Sequence, residues 1–363
     1  MWAILLMVLT TLLFLVPLIP ALQELEKRRD VQPLTIVPTH HGNIHQFADS
    51  FRAYIERELS TLASSAGAGK WVERYAFVGD EQMFWPSAEE AKGGVTQRVI
   101  VAEQRLTLPD NFTFQGEIYG RGSVYSGLRN QMRGVLVKHD LFIQRESVLL
   151  RWAHARSAYV GEGCFLFGRL SAEESVVLDI GCRFVRVNAP CVKFGAGQVA
   201  HPKPVTVISH AAGEGKTAFV PDAADITRDG RIVLDHSMSF PENSFYQGDM
   251  VICGDIVIGR GSVIAGSIKG HGTVTLQDDV HIGGSLVCGR SLVIGRSCVI
   301  GGPVISENEL DMDADVAIGS IDKPTTVTAS TIRVTIPAIV YGTVWAREKG
   351  VVMPPLLTGG DIT

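Results

Sequence analysis

Stepping six residues at a time from Ile118 visits Val124, Asn130, Leu136, Phe142, Val148, His154, Val160, Leu166, Ala172, Leu178 and Phe184, and ten of these twelve positions are apolar. A second series runs Ile252, Ile258, Ile264, Gly270, Leu276, Ile282, Cys288, Ile294 and Ile300, with eight of nine apolar. Four residues after most of its members stands a further apolar residue, as in Ile256, Ile268, Val274, Val280, Leu286, Leu292, Cys298 and Val304. Gly259, Gly283, Gly289, Gly295 and Gly301 directly follow members of the series. A period of six is neither the 3.6 of a helix nor the 2 of a half-buried strand. It describes a short strand and a corner, repeated. Three such units make a closed coil of about 18 residues, and stacked coils bury a continuous core that no single coil could bury.

This pattern predicts an all-β protein, a parallel β-helix in two blocks, residues 116–194 and residues 248–345. The two series are out of phase, so an insertion is expected between them. Residues 195–247 carry the loop signals HPKP, GEGKT, PDAAD and FPENS. Inward residues should recur as ladders every coil, with Ile258, Ile264, Ile282, Ile294 and Ile300 in the regular block and Cys164 stacked on Cys182. Glycine is expected where a corner needs an unusual backbone conformation or has no room for a Cβ.

Ahead of the repeat the pattern changes. Residues 1–22 contain no charged side chain and are long enough for a transmembrane helix; the alternative is a cleaved signal peptide, which normally begins with Lys or Arg and has a shorter apolar region. Lys27, Arg28 and Arg29 follow it, and the positive-inside rule then places the bulk of the chain in the cytoplasm, on a single-pass inner-membrane anchor. Phe47, Phe51, Ile55, Leu59 and Leu62 recur at spacings of three and four, which predicts a short amphipathic helix over residues 43–63. Residues 23–115 as a whole read as linker, amphipathic helix and cap. Residues 346–363, with Pro354 and Pro355, read as a mobile tail. Apolar character persists to Ile336, Ile339, Val340 and Val344 with no helix after them to act as a lid. Those four residues are the expected self-association edge, because an uncovered strand edge templates pairing.

Composition agrees with strands. Hydrophobic residues reach 46% while aromatics are only 7%, so the apolar content is largely Val, Ile, Leu and Ala. The net charge of −5 is spread over both signs, with no basic run to suggest nucleic acid as a partner. The six cysteines show no CxxC and read as buried thiols. No cofactor or metal site is expected.

The stretch GDMVICGDIVIGRGSVIAGSIKGHGTV, with Ile305, Ser306 and Glu307 and the closing VYGTVWAREKG at 340–350, resembles the bactofilin family, the bacterial polymer-forming cytoskeletal proteins, in its larger membrane-anchored type. The resemblance is best over residues 245–350 and looser over 116–194. It implies a right-handed β-helix, self-assembly without nucleotide, membrane association, and a scaffolding role beside envelope-biogenesis proteins or polysaccharide processes. Typical members are shorter and have one block, where this chain has two.

The alternative is a membrane-bound hexapeptide-repeat acyltransferase, whose left-handed coil has nearly the same unit and which uses a histidine as general base. His210, His236, His271 and His281 are the candidates, each weighed against a plain corner residue. Residues 213–217 resemble the end of a phosphate-binding loop, but the required first glycine is His210. His40, His41 and His45 read as linker. A coil that binds polysaccharide along one face would need an outward aromatic stripe, and the solvent-facing positions show none.

Overall fold

The computed structural model describes residues 46–64, 74–79, 82–195, 216–220 and 231–355, together with Trp2, Leu6, Met7, Thr10 and Val16. The chain divides into two compact units, Met1–Ile36 and Val37–Thr363. In the first, the Thr10 hydroxyl donates to the Leu6 carbonyl at 2.7 Å, within a helical turn. Among the described residues no helix is long and apolar enough to cross a membrane. Most of the expected anchor at 1–22, and Lys27, Arg28 and Arg29, lie outside the described residues.

The second unit is a β-solenoid of about 13 turns with about 18 residues per coil. At the 4.8 Å strand spacing this makes a rod about 60 Å long. In its second stack the register is regular. Ile264 pairs with Ile282, and Ile282 with Ile300. Ile256 pairs with Val274, Val274 with Leu292, and Leu292 with Leu310. Ile258, Ile264, Ile282 and Ile300 are fully buried, and Ile294 is 1% exposed.

The corners divide glycine's two uses between different columns. None of Gly259, Gly289, Gly295 and Gly301 has a positive φ, but a Cβ on any of them would come within 3 Å of the coil before it, for Gly301 2.5 Å from the Gly283 carbonyl oxygen. The left-handed conformation falls on another column, Asn243, Gly261, Asp279, Ser297 and Asp315, one coil apart. Asn, Asp and Gly tolerate it best, so this corner is written in residue type.

The first stack is longer than the sequence pattern indicates. Val99–Ala102 is entirely buried and pairs with Tyr75–Val78 on one side and with residues 118–120 on the other. The described residues between 75 and 115 therefore contribute coils, not only a cap. They escaped the period because the first register step, Tyr75 to Val99, contains the helix Ala88–Gly93. Farther on, Thr113 pairs with Gln131 but Ile118 with Val135, across a bulge. Such bulges shift the phase by one residue. Thus Phe142 and Val148 are not in the core; Leu141 and Leu149 are. Cys164 and Cys182 sit beside the paired Phe165 and Arg183, and both are fully buried.

The expected insertion is also narrower than 195–247. Ile232–Leu234, Met238–Phe240 and Ser244–Tyr246 are coil strands in register with the strands that follow them. Residues 196–215 and 221–230 lie outside the described residues.

The stacks are joined in a way that periodicity does not announce. The closing strand Ala338–Met353 pairs in parallel with Thr325–Thr335 on one side and antiparallel with Arg183–Phe194 on the other. The last coil of each stack therefore meets the other. The chain enters the second stack at its far end and winds back to the joint. Two coils of one hand that approach each other in this way circulate in opposite senses, so an antiparallel joint means both stacks share a hand. Val187 faces Val344, Val192 faces Val340, and the Asn188 amide donates to the Thr343 hydroxyl at 2.8 Å. One apolar core runs through both stacks across the joint.

This corrects two expectations. The strand continues to Met353, so residues 346–353 are not tail, and residues 356–363 lie outside the described residues. Ile336, Ile339, Val340 and Val344 do not form an open edge, because Arg183–Phe194 of the same chain already occupies it. Val340 and Val344 are fully buried, Ile339 is 3% exposed, and Ile336 packs on the core.

The helix Gln46–Ser64 lies outside the coil wall of the first stack. Ala48 and Ile55 are buried against Tyr75, Val99, Val101, Tyr119, Leu136 and Trp152, which point outward from successive coils. Nineteen residues make a helix of about 29 Å, matching about six coil spacings. Tyr75 and Tyr119 donate to Glu58 and Glu56, both at 3.3 Å, and fix its register on the wall.

Candidate functional sites at the joint and at the free edge

Many arginines on this rod are paired with carboxylates. Arg121 holds Glu103, Arg156 holds Asp140, Arg260 holds Asp278, and Arg333 holds Glu309 and Asp311. Arg151, Arg169 and Arg186, close to the joint, are not so paired. Arg169 and Arg186 are direct register partners on adjacent coils, and Arg151 lies on the coil before. Among the described residues no carboxylate is within ion-pair distance of any of the three. Like charges opposite each other across a strand pair are unfavourable, so the pairing of Arg169 with Arg186 carries a cost.

The three line a cavity of about 380 Å³ with aromatic walls. Trp345 arrives from the second stack, as the antiparallel partner of Arg186, and its ring lies 5.2 Å from the guanidinium carbon. Phe47, from the first turn of the helix Gln46–Ser64, lies 5.4 Å from that of Arg169. Phe167 is 57% exposed and Trp345 40%, high values for residues of this size. The Nε of Arg186 is buried with no hydrogen-bond partner. Burial, and then the charge of Arg169, push the Arg186 guanidinium below its ordinary pKa. The signal for this site in the sequence is the recurrence of arginine at coil spacing, 151, 169 and 186, which the six-residue apolar series passed over.

A second feature is the edge at the start of the first stack. Tyr75–Val78 pairs with Val99–Ala102, and for Ala76, Phe77 and Val78 no strand among the described residues pairs the other side. Phe77 is 57% exposed, Trp85 66% and Met83 39%. They surround a depression of about 560 Å³ floored by Phe84 and bounded by Arg98. The local frame beneath is cross-linked by hydrogen bonds to Glu90. Ser87 and Glu90 form a capping box on the helix Ala88–Gly93. The Glu90 carboxylate also accepts from Thr96 at 2.6 Å and from Arg98 Nε at 2.8 Å. Burial opposes its charge, but the hydrogen bonds from Arg98, Thr96 and Ser87 win and hold its pKa at about 2.

The histidine candidates do not come together. His281 is exposed between Val263 and Val299, and His236 is exposed and bonded to its neighbour Asp235 at 3.0 Å. His271 is half-buried at a corner, and His210 lies outside the described residues. Lys216, the end of the phosphate-loop-like stretch, donates to the Gly261 carbonyl at 2.7 Å. His154 contacts the Ser171 hydroxyl at 2.9 Å and Glu173 at 3.6 Å. Ser171 is only 3% exposed and reaches the Ala153 carbonyl at 3.3 Å, so its oxygen has no approach for a substrate and the trio reads as a structural lock.

An outward aromatic ladder does exist, contrary to the expectation that the solvent-facing positions carry none. Tyr125, Phe142 and Tyr159 stack at 4.4 and 4.8 Å with planes 6° apart. The rings cover one another, and Arg105 caps Tyr125 at 4.2 Å. Their faces are thus occupied, which leaves poor platforms for a sugar ring. Comparisons with family models, with curated proteins and with solved structures find no match to this chain.

Proposed function

We propose that this protein is a self-assembling β-helical scaffold that is tethered to a membrane by residues 1–22 and extends by stacking coils end to end. The observation that carries the reading is the edge strand Tyr75–Val78, at which the described coils of the first stack begin, with Phe77, Met83 and Trp85 exposed beside it. A large apolar patch next to an open strand edge favours a partner that continues the sheet. The partner named is a second copy, because the chain already contains a contact of this kind. Its joint is a coil of one stack laid on a coil of another, held by backbone pairing rather than by chain continuity. The resemblance of residues 245–350 to bactofilins supports the same reading. The self-association surface is thereby moved from the C-terminal coil to the opposite end of the first stack.

The test uses the full chain in an uncharged detergent, observed by negative-stain electron microscopy and sedimentation velocity. Wild type should form rods longer than one molecule at tens of micromolar. Phe77→Lys with Trp85→Lys, both at exposed positions, should return it to single rods with unchanged circular dichroism. A wild type that stays monomeric at that concentration rejects the reading, and discrete trimers would favour the acyltransferase alternative. Tethering is tested separately by a reporter fused after Thr363, which should behave as cytoplasmic if Lys27, Arg28 and Arg29 set the orientation.

A further inference from the structure

We infer that the groove at the joint of the two stacks is a binding site for an oxyanion, of the phosphate class, carried on an apolar or aromatic body. The inference is independent of self-assembly, since the groove lies at the joint and not at the free edge.

Four observations converge on it. Arg151, Arg169 and Arg186 gather positive charge on three adjacent coils, with no carboxylate partner among the described residues. Arg186 keeps a buried Nε without an acceptor. An unpaired buried donor is costly, so the fold holds this guanidinium at the groove against a penalty. The guanidinium fork suits the oxygens of a phosphate, and two adjacent forks suit a dianion. The walls are Trp345, Phe167 and Phe47, so an apolar group attached to the anion would cover aromatic surface that water now wets. The helix Gln46–Ser64 begins at this groove, and the positive end of its dipole adds to the same field. A cavity of about 380 Å³ accepts a group the size of a substituted phosphate ester. The site also spans the joint, with Arg186 from one stack and Trp345 from the other, so occupancy would fasten the stacks together.

A phospholipid headgroup and a soluble phosphate ester share this chemistry. Calorimetric titration of the full chain in uncharged detergent with phenyl phosphate and with dihexanoylphosphatidylglycerol separates them. Saturable binding with Kd below about 1 mM is expected for at least one. Tighter binding of the lipid identifies a headgroup site, and tighter binding of phenyl phosphate a soluble ester. Arg186→Met and Arg169→Met should each weaken binding about tenfold or more, and Arg186→Met should leave the urea midpoint of the ligand-free protein unchanged or raised. No saturable binding of either probe overturns the inference. So does binding that both substitutions leave untouched, or a lowered midpoint in Arg186→Met with binding intact, since the guanidinium would then be a prop for Trp345. Should Arg186→Met fail to fold, Arg169→Met, at a half-exposed position, gives the same reading.

Discussion

Gly350 stands at the joint opposite Phe184, and substituting it tests whether the two stacks meet as described. A Cβ at Gly350 would lie 2.3 Å from Cε2 and Cζ of the Phe184 ring and 2.6 Å from Cδ2. Carbon atoms in contact prefer about 3.5–4.0 Å, so more than 1 Å of movement is demanded. The ring cannot simply swing away. Phe184 is 2% exposed and packs on Phe194 with centroids 5.8 Å apart. Gly350 has no positive φ, so the penalty in Gly350→Ala is steric and not a matter of backbone strain. Overpacking of this kind costs about 1–3 kcal/mol. Phe184→Leu alone removes ring volume from the core and should cost about 1–2 kcal/mol. Together the two should cost less than their sum by about 1 kcal/mol or more, because the smaller side chain makes the room that the methyl needs. The four proteins of this cycle are compared by urea unfolding, with stability read from midpoints at a common slope. Additivity within about 0.5 kcal/mol would mean that these two residues, distant in sequence, do not touch, and the antiparallel joint would be wrong.

Other substitutions read other levels of the fold. Ile282→Asp places an unpaired charge between Ile264 and Ile300 and should cost several kcal/mol or abolish folding, whereas His281→Asp, on the exposed side of the same strand, should shift the urea midpoint little. Ile339→Lys, now placed in a buried cluster with Ala317 and Tyr341, should destabilise the fold by about 2–4 kcal/mol in the same assay; a variant of normal stability that merely associates less would restore the C-terminal edge. Glu90 has a folded pKa of about 2 against an ordinary 4.5, so its contribution is complete above about pH 4.5 and is lost as pH falls toward 2. Glu90→Gln should flatten that part of the stability profile, and an unchanged acid limb would contradict the assignment. The Cys298 thiol is pushed up to about 12 by burial and should resist iodoacetamide at pH 8 until urea is added.

The coil itself was legible in the sequence because its physics is local. A strand of two or three residues and a corner repeat every six positions, and each apolar residue of the second stack meets its equivalent one coil away. No long-range choice is needed to place Ile264, Ile282 and Ile300 in one ladder. The amphipathic helix was legible for the same reason, through Phe51, Ile55 and Leu59. In the first stack the pattern weakens, because a bulge costs nothing in composition yet shifts every later residue by one place, so that Leu141 and not Phe142 faces the core. The joint was not legible at all. Arg183–Phe194 and Ala338–Met353 pair chiefly through backbone groups, which are the same in every residue, and the alternation of Val340 and Val344 would look identical if the edge were free. Only the tertiary structure decides what covers that edge. It alone brings Trp345 over Arg186, since their separation in sequence carries no period and their meeting depends on the second stack winding back toward the first.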